Sequence, residues 1–133
     1  MGGLRTILLA GLDARIQCAF CVGFMSTIRS LLPNHIRCPP GHGLLMYAPN
    51  LFSSLDLPDI ISLHAPAPLL VQYNQDDELF TPEGQNEANR KLAAIYSEMG
   101  HAENYVGKFH PGPHKFNREM QEEAFDWLEK QLT

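Results

Sequence analysis

Two short segments of this 133-residue chain carry side chains that can act as an acid and a base. The first contains Asp76 and Asp77, and the second, further along the chain, contains His110 and His114. A buried carboxylate that holds a histidine in one tautomer forms the acid–base half of a nucleophilic triad. We therefore expect one aspartate and one histidine from these segments to meet in a catalytic site.

The local sequence leaves a choice open within each pair. Aspartates are common in turns without any catalytic role, because their side chains bond to nearby backbone. A Leu-Phe pair and a helix start at Thr81 follow the acidic segment, and this context favours Asp77 over Asp76. The Pro-His-Lys-Phe context favours His114 over His110 as the base. Asp76 and His110 remain as alternatives.

Three segments are predicted to be the strands that position these side chains, namely residues 16–24, 69–74 and 104–109. The first is apolar on both alternating faces, which is typical of a parallel strand covered on both sides. The second ends just before the acidic segment, and the third just before the histidines. Ligands bind at the carboxyl ends of parallel strands, so both segments are expected at one end of the sheet.

Helices are predicted between and around these strands. Thr81 and Pro82 have the residue types of an N-cap and a first helical position, and Gly100 ends that helix. A further helix covers residues 2–14, a short one covers 25–32, and the last is capped by Asn117. The predicted buried stripes are Leu4, Ile7, Leu8 and Leu12 in the first helix, Ala88, Leu92, Ile95 and Met99 in the next long one, and Met120, Ala124, Trp127 and Leu128 in the last.

This alternation predicts an α/β fold with a parallel sheet flanked by helices, in one domain covering residues 1–133. Residues 33–58 are rich in Pro, Gly and Asn and are predicted to be an irregular excursion near the pocket, either without regular structure or with short helical turns.

The first residues, Met1-Gly2-Gly3, resemble the continuation of the G-x-S-M-G-G elbow in α/β-hydrolases of the dienelactone hydrolase and acetyl xylan esterase-like type. Glycines suit such an elbow because the tight turn brings the strand and helix backbones together. Residues 57–80 are similar to that family's approach to its acid, and residues 113–128 to its histidine loop and closing helix. The resemblance implies a partial α/β-hydrolase fold that lacks the N-terminal strands.

The resemblance also implies roles for individual residues. Asp77 would be the triad acid, His114 the general base, and Met1 the donor of an oxyanion N–H beside Gly2 and Gly3. The nucleophilic serine would precede Met1, so we assign no nucleophile to this chain and expect it to be a truncated enzyme that is inactive alone. The implied parent is a serine hydrolase that acts on small-molecule carboxylic esters through an acyl-enzyme, without a cofactor.

Composition argues against several other classes of protein. The net charge is −5 and the basic residues are scattered, which argues against nucleic-acid binding. No apolar run approaches the roughly 20 residues needed to span a bilayer, and no signal peptide is visible. An odd count of three cysteines without a secretory signal predicts reduced thiols and a cytoplasmic location.

Two other residue patterns resemble thiol or metal sites. Cys18 and Cys21 match C-x-x-C but lie within a predicted strand, where core packing is expected. His35, Cys38 and His42 lack a fourth ligand and finger-like spacing, so we predict no metal site.

A second hypothesis for function is a non-catalytic interaction module derived from a hydrolase. An unpaired, apolar edge on strand 16–24 would be a template for association, so we expect self-association through that edge.

Overall fold

The computed structural model describes residues 2–31 and 48–133. Three parallel strands form its sheet in the order β1-β2-β3, with Cys21 of β1 beside Val71 of β2, and Val71 beside Gly107 of β3. The predicted parallel sheet is therefore confirmed, although the first strand is shorter than residues 16–24. The strands are β1 (Ala19–Val22), β2 (Leu69–Asn74) and β3 (Tyr105–His110).

Helices cover both faces of this sheet. They are α1 (Gly2–Leu12), α2 (Ile28–Leu31), α3 (Leu57–Ser62), α4 (Pro82–Glu98) and α5 (Arg118–Leu132), with 3₁₀ turns at Leu51–Ser53 and Ala102–Asn104. Every residue of the central strand β2 is buried as a result. The core therefore lies around β2, whose carboxyl end leads into the acidic segment.

Helix α4 begins and ends as the sequence predicts. The Thr81 side chain accepts a hydrogen bond from the Gly84 N–H at 3.1 Å, and Pro82 occupies the first turn, where its missing N–H has no cost. Gly100 follows the helix with a φ of +78°, the left-handed conformation that glycine adopts readily. This well-defined start fixes where the chain leaves the acidic segment.

The predicted buried stripe of α1 is wrong at Leu12, which is 70% exposed. Ala10 is buried instead, and the next residue, Gly11, lies at the contact with α3. A Cβ at Gly11 would be 2.2 Å from the Ile60 carbonyl oxygen. The backbones of α1 and α3 therefore approach too closely here for a larger side chain such as leucine to lie between them. Leu12 ends the helix beyond this contact.

The predicted stripe of α5 is only partly correct. Met120 and Ala124 are buried, whereas Trp127 and Leu128 are partly exposed. Leu128 lies over β1, which is an edge strand of the described sheet, in a hollow shared with Leu9. The end of α5 therefore extends over the sheet margin, where less of its apolar face is covered.

Helix α3 begins inside the segment that was predicted to be irregular. The Asp56 side chain accepts from the Leu57 N–H at 2.7 Å, and its own N–H donates to Asp59 at 2.8 Å, which is a capping box. Asp56 also accepts from the Ile28 N–H at 2.6 Å and so joins α2 to α3. Most of the predicted excursion, residues 32–47, lies outside the described residues.

Candidate active site

The chain brings Asp77 and His114 together where β2 and β3 end. His114 Nδ1 lies 2.7 Å from Asp77 Oδ2. The Asp77 side chain is fully buried, whereas that of His114 is half exposed. Because the carboxylate accepts the Nδ1 proton, Nε2 is left as the basic nitrogen of the ring. The second oxygen of Asp77 accepts from the Leu79 N–H at 2.9 Å, which holds the carboxylate in place.

The two alternatives from the sequence have other partners. Asp76 Oδ2 accepts from the backbone N–H of Gly112 at 2.8 Å, so Asp76 contacts the histidine loop and not a histidine ring. His110 Nε2 lies 3.1 Å from Glu123 Oε2 on α5. The structure therefore pairs Asp77 with His114 and gives Asp76 and His110 different contacts.

Glu123 joins α5 to the sheet beside His110. Its carboxylate accepts from Gln72 Nε2 at 2.6 Å and is paired with the Lys108 ammonium. Partial burial opposes ionisation of Glu123, but the bonds from Lys108 and Gln72 outweigh it, so the pKa of this carboxyl is lowered. This cluster explains the position of His110 as part of the docking of α5.

The first turn of α1 faces His114 across a hollow of about 350 Å³. Gly2 and Gly3 line the hollow, and Met1 lies outside the described residues. A Cβ at Gly3 would lie 2.3 Å from the Phe24 Cβ, so only glycine fits where α1 meets the end of β1. The glycine-rich start of α1 and His114 thus border one space.

Gly23 is a site residue that the sequence analysis missed. It follows β1 with a φ of +57°, and a Cβ there would lie 3.1 Å from His114 Cε1. The same Cβ would lie 3.3 Å from Asn74 Nδ2. A glycine directly after an apolar strand was the available signal, because such glycines permit close approach of another chain segment.

The remaining walls of the hollow are largely apolar. They include Phe20, Val22 and Phe24 from β1 and its end, and Phe116 from the histidine loop. The rings of Phe20 and Phe116 lie 6.3 Å apart. Thr6, on the α1 side of the hollow, uses its hydroxyl to donate to the Gly2 carbonyl at 3.4 Å.

The described thiols are poor nucleophiles. Cys21 is buried in β1, where burial raises its pKa to about 12. Cys18 lies just before β1, outside the strand in which it was predicted, and partial burial raises its pKa also. Both are free thiols that stay protonated near neutral pH.

No group of three or more His, Cys, Asp or Glu side chains within residues 2–31 and 48–133 is arranged to hold a metal ion. His35, Cys38 and His42 lie outside these ranges.

Known proteins resemble this arrangement in sequence and in structure. No family model matches the chain. A Bacillus subtilis protein named as a hydrolase, YtaP, is 30% identical over 132 residues, which are 99% of this chain and 44% of YtaP. A glucuronoyl esterase of carbohydrate esterase family 15 from Caldicellulosiruptor kristjansonii superposes with a TM-score of 0.73 at 18% identity, over 98% of this chain and 40% of that one.

A third relative is of a different kind. Acyl-protein thioesterase 2 of Zea mays matches all of this chain and 53% of its own, with a TM-score of 0.60 and 15% identity. The chain has a partial α/β-hydrolase fold. It spans about half the length of these relatives or less.

The α/β-hydrolase fold carries its triad in the chain order nucleophile, acid, histidine. Asp77 and His114 follow β2 and β3 in that order, and the glycine-rich start of α1 precedes both. None of the helices in the described ranges is long and apolar enough to cross a membrane.

Proposed function

We propose that Asp77 and His114 are the acid and the general base of a serine hydrolase that cleaves carboxylic esters. The observation that carries this proposal is the 2.7 Å contact between a fully buried carboxylate and a half-exposed imidazole. A turn aspartate without a catalytic role would be expected to have its carboxylate exposed to solvent. Burial of Asp77 against a single ring instead fixes the tautomer and orientation that a general base needs.

The chemistry follows from this pair. His114 Nε2 removes the proton of the serine hydroxyl as the hydroxyl attacks the ester carbonyl, and it then protonates the leaving alcohol. In the second half of the cycle the same nitrogen takes a proton from the water that attacks the acyl-enzyme, and it returns this proton to the serine oxygen as the acid product leaves. Asp77 stabilises the imidazolium that forms in both steps. No cofactor takes part in this cycle.

Charge that develops on the carbonyl oxygen also needs donors. The unpaired N–H groups in the first turn of a helix favour negative charge, and α1 presents that turn, with Gly2 and Gly3, to the hollow beside His114. The resemblance assigns the oxyanion N–H to Met1. Glycine at position 3 is compatible with this role, since it lets the start of α1 lie close to the end of β1, beside the same hollow.

The nucleophile itself is proposed to come from outside these 133 residues. Where serine side chains in the described ranges form hydrogen bonds, their partners are groups other than His114. Ser30, for example, donates to the Thr27 carbonyl at 2.7 Å. Loss of a triad nucleophile lowers kcat by roughly a million-fold. We therefore expect no ester turnover by this chain alone.

The names of the relatives agree with ester chemistry. YtaP is named as a hydrolase, and the structural relatives include glucuronoyl esterases and a thioesterase. These names support an ester or thioester as the substrate class. The apolar side chains around the hollow are compatible with such a substrate.

A chimera tests the proposal without knowledge of the substrate. In it, this chain replaces the matching residues of YtaP, which supplies the rest of a hydrolase. A fluorophosphonate probe, which reacts only with activated serines, should label the chimera but neither its His114→Ala variant nor the isolated chain. Cooperative thermal unfolding of each protein controls for folding. A folded chimera that is not labelled, or labelling that survives in His114→Ala, would refute the proposal.

A second candidate function is association with another chain through β1. Ala19 and Gly23 donate their N–H groups to β2. Because the direction of the N–H groups alternates along a strand, those of Phe20 and Val22 point to the opposite edge, which no strand of the described residues covers. The exposed side chains of Leu9 and Phe125 lie beside Phe20 of β1, Leu9 in the same hollow and Phe125 with its ring 6.0 Å from that of Phe20. Such an edge favours pairing with a further strand.

A further inference from the structure

His114 lies in a loop whose conformation is not explained by the contacts of His114 itself. The loop follows β3 and contains Gly112, whose φ of +99° is a conformation that other residues rarely adopt. The His114 side chain is half exposed, and its Nδ1 lies within hydrogen-bond distance of Asp77. The backbone on either side of His114 must therefore be held by other groups if the ring is to keep its geometry.

On the upstream side the holding group is Asp76. Its Oδ2 accepts from the Gly112 N–H at 2.8 Å, and its own N–H donates to the Gly112 carbonyl at 3.1 Å. The Gln75 N–H donates to the His110 carbonyl at 2.9 Å, which continues the pairing of β2 with β3 beyond the strand ends. A bond to a carboxylate is stronger than one between neutral groups, so Asp76 holds this turn more firmly than a backbone contact would.

On the downstream side the holding group is Asn74. Its Nδ2 donates to the Lys115 carbonyl at 3.1 Å, and its own carbonyl accepts from Gln85 Nε2 of α4 at 3.0 Å. The side chain is fully buried, and its Oδ1 has no hydrogen-bond partner among the described residues. A buried acceptor without a partner costs about 1–3 kcal/mol, and an apolar side chain would avoid that cost. The favourable contribution of the Asn74 amide at this position is its hydrogen bond to the Lys115 carbonyl.

The end of β2 and the turn after it thus hold the histidine loop at three points. Asp76 holds the backbone before it, Asn74 holds the backbone after it, and Asp77 holds its ring. We propose that Asn74 and Asp76 are positioning residues that fix the histidine loop so that the His114 ring stays on Asp77. This inference rests on the proposed function, in which His114 is the general base.

Proton NMR of the full 133-residue chain tests the inference without any nucleophile. A histidine Nδ1 proton shared with a buried carboxylate resonates far downfield, and its absence from His114→Ala assigns it. We expect Asp76→Ala to lose or broaden this signal and Asp76→Asn, which keeps an acceptor oxygen for Gly112, to retain it. Glu78→Ala, at an exposed neighbouring position, is the matched control and should leave the signal unchanged.

A purely structural role for Asp76 gives a different result. Asp76→Ala would then lower the unfolding temperature but keep the downfield signal in the folded protein, and that outcome would overturn the inference. If Asp76→Ala does not fold, hydrogen exchange of the Gly112 amide in the unmodified chain decides: slow exchange supports the bond to Asp76, and exchange at the rate of an exposed amide overturns it.

The labelling rate of the YtaP chimera separates this inference from the proposed function. We expect Asp76→Ala or Asn74→Leu to slow labelling by roughly ten- to a hundred-fold, since misplacement of a catalytic group by about an ångström has such effects. If the unmodified chimera is not labelled but Asp76→Ala still loses the downfield proton, the proposed function fails and the positioning role stands. If the chimera is labelled at the same rate with Asp76→Ala, only the positioning role fails.

Discussion

The His114 ring packs against Gly23, where β1 ends. A Cβ at position 23 would lie 3.1 Å from His114 Cε1, and the φ of Gly23 is +57°. Glycine is therefore required at this position for two separate reasons, namely backbone conformation and the space that the ring needs. This contact connects β1 to the candidate base, which otherwise depends on loops after β2 and β3.

Gly23→Ala is predicted to disturb the His114 ring. The left-handed backbone conformation costs alanine about 1–2 kcal/mol, and the added methyl group pushes against the imidazole. Gly100→Ala is the matched control, because Gly100 has a φ of +78° and open space around its Cβ position. Both variants should unfold at lower temperature, but only Gly23→Ala should shift the Nδ1 proton signal of His114. An equal shift in both variants would contradict the packing described here.

Asp77→Asn is predicted to remove most of the function of His114 without disturbing the fold. The amide keeps the size of the carboxylate but can present its N–H₂ to Nδ1 of the ring, which favours the tautomer with the proton on Nε2. The equivalent change in a serine protease lowers kcat about 10⁴-fold. In the YtaP chimera, Asp77→Asn should therefore slow fluorophosphonate labelling by roughly that factor. Asp76→Asn should retain nearly full labelling, and a reversed order of the two variants would exchange their roles.

The elements that hold this site differ in how well the sequence predicts them. The start of α4 can be predicted because Thr81 and Pro82 have the local residue preferences of a helix N-terminus, which do not depend on the rest of the fold. Helix α3 was missed, although Asp56 and Asp59 have the spacing of a capping box, because Pro58 lies in a stretch rich in loop-forming residues. Its stability depends on contact with α1 at Gly11, which no local pattern reveals.

The local sequence favoured Asp77 but left Asp76 open as an alternative, for a related reason. Both residues follow β2 in one turn, and adjacent side chains in a turn point in different directions. Asp77 is buried because it faces His114, whereas Asp76 faces Gly112, and both partners belong to a loop far along the chain. Trp127 shows the same limit, since helical spacing predicts which side of α5 faces the sheet but not how far the sheet extends.

Attachment of α5 to the sheet is predicted to weaken at low pH. The pKa of Glu123 is lowered in the folded chain, so its carboxylate contributes stability above the ordinary glutamate value of 4.5, and this contribution is lost as the pH falls through the lowered value. Glu123→Gln should destabilise the chain by about 1–3 kcal/mol at neutral pH and flatten the acid dependence of the denaturant midpoint.

Glu122→Gln is the control for this effect. Glu122 pairs with Arg118 on the exposed side of α5, where an ion pair contributes about 0–1 kcal/mol. If both variants show the same acid dependence as the unmodified chain, the cluster around Glu123 does not stabilise α5 as described.

Self-association through β1 is predicted to depend on the apolar side chains at its margin. Sedimentation of the isolated chain at tens of micromolar should show dimers or larger species. Leu9→Lys and Phe125→Lys should shift the distribution toward monomer, because a charge beside an open strand edge opposes pairing. Met99→Lys, at an exposed apolar position at the end of α4, is the control and should have no effect. A clean monomer for the unmodified chain would count against this surface.

The most direct test of the central claim is ester turnover that depends on His114. Hydrolysis of p-nitrophenyl acetate is measured for the YtaP chimera, for its His114→Ala variant and for the isolated chain, each shown to be folded. The account predicts turnover by the chimera, a loss to near background in His114→Ala, and none by the isolated chain. Turnover by the isolated chain that disappears in His114→Ala, or turnover by the chimera that survives the substitution, would contradict it.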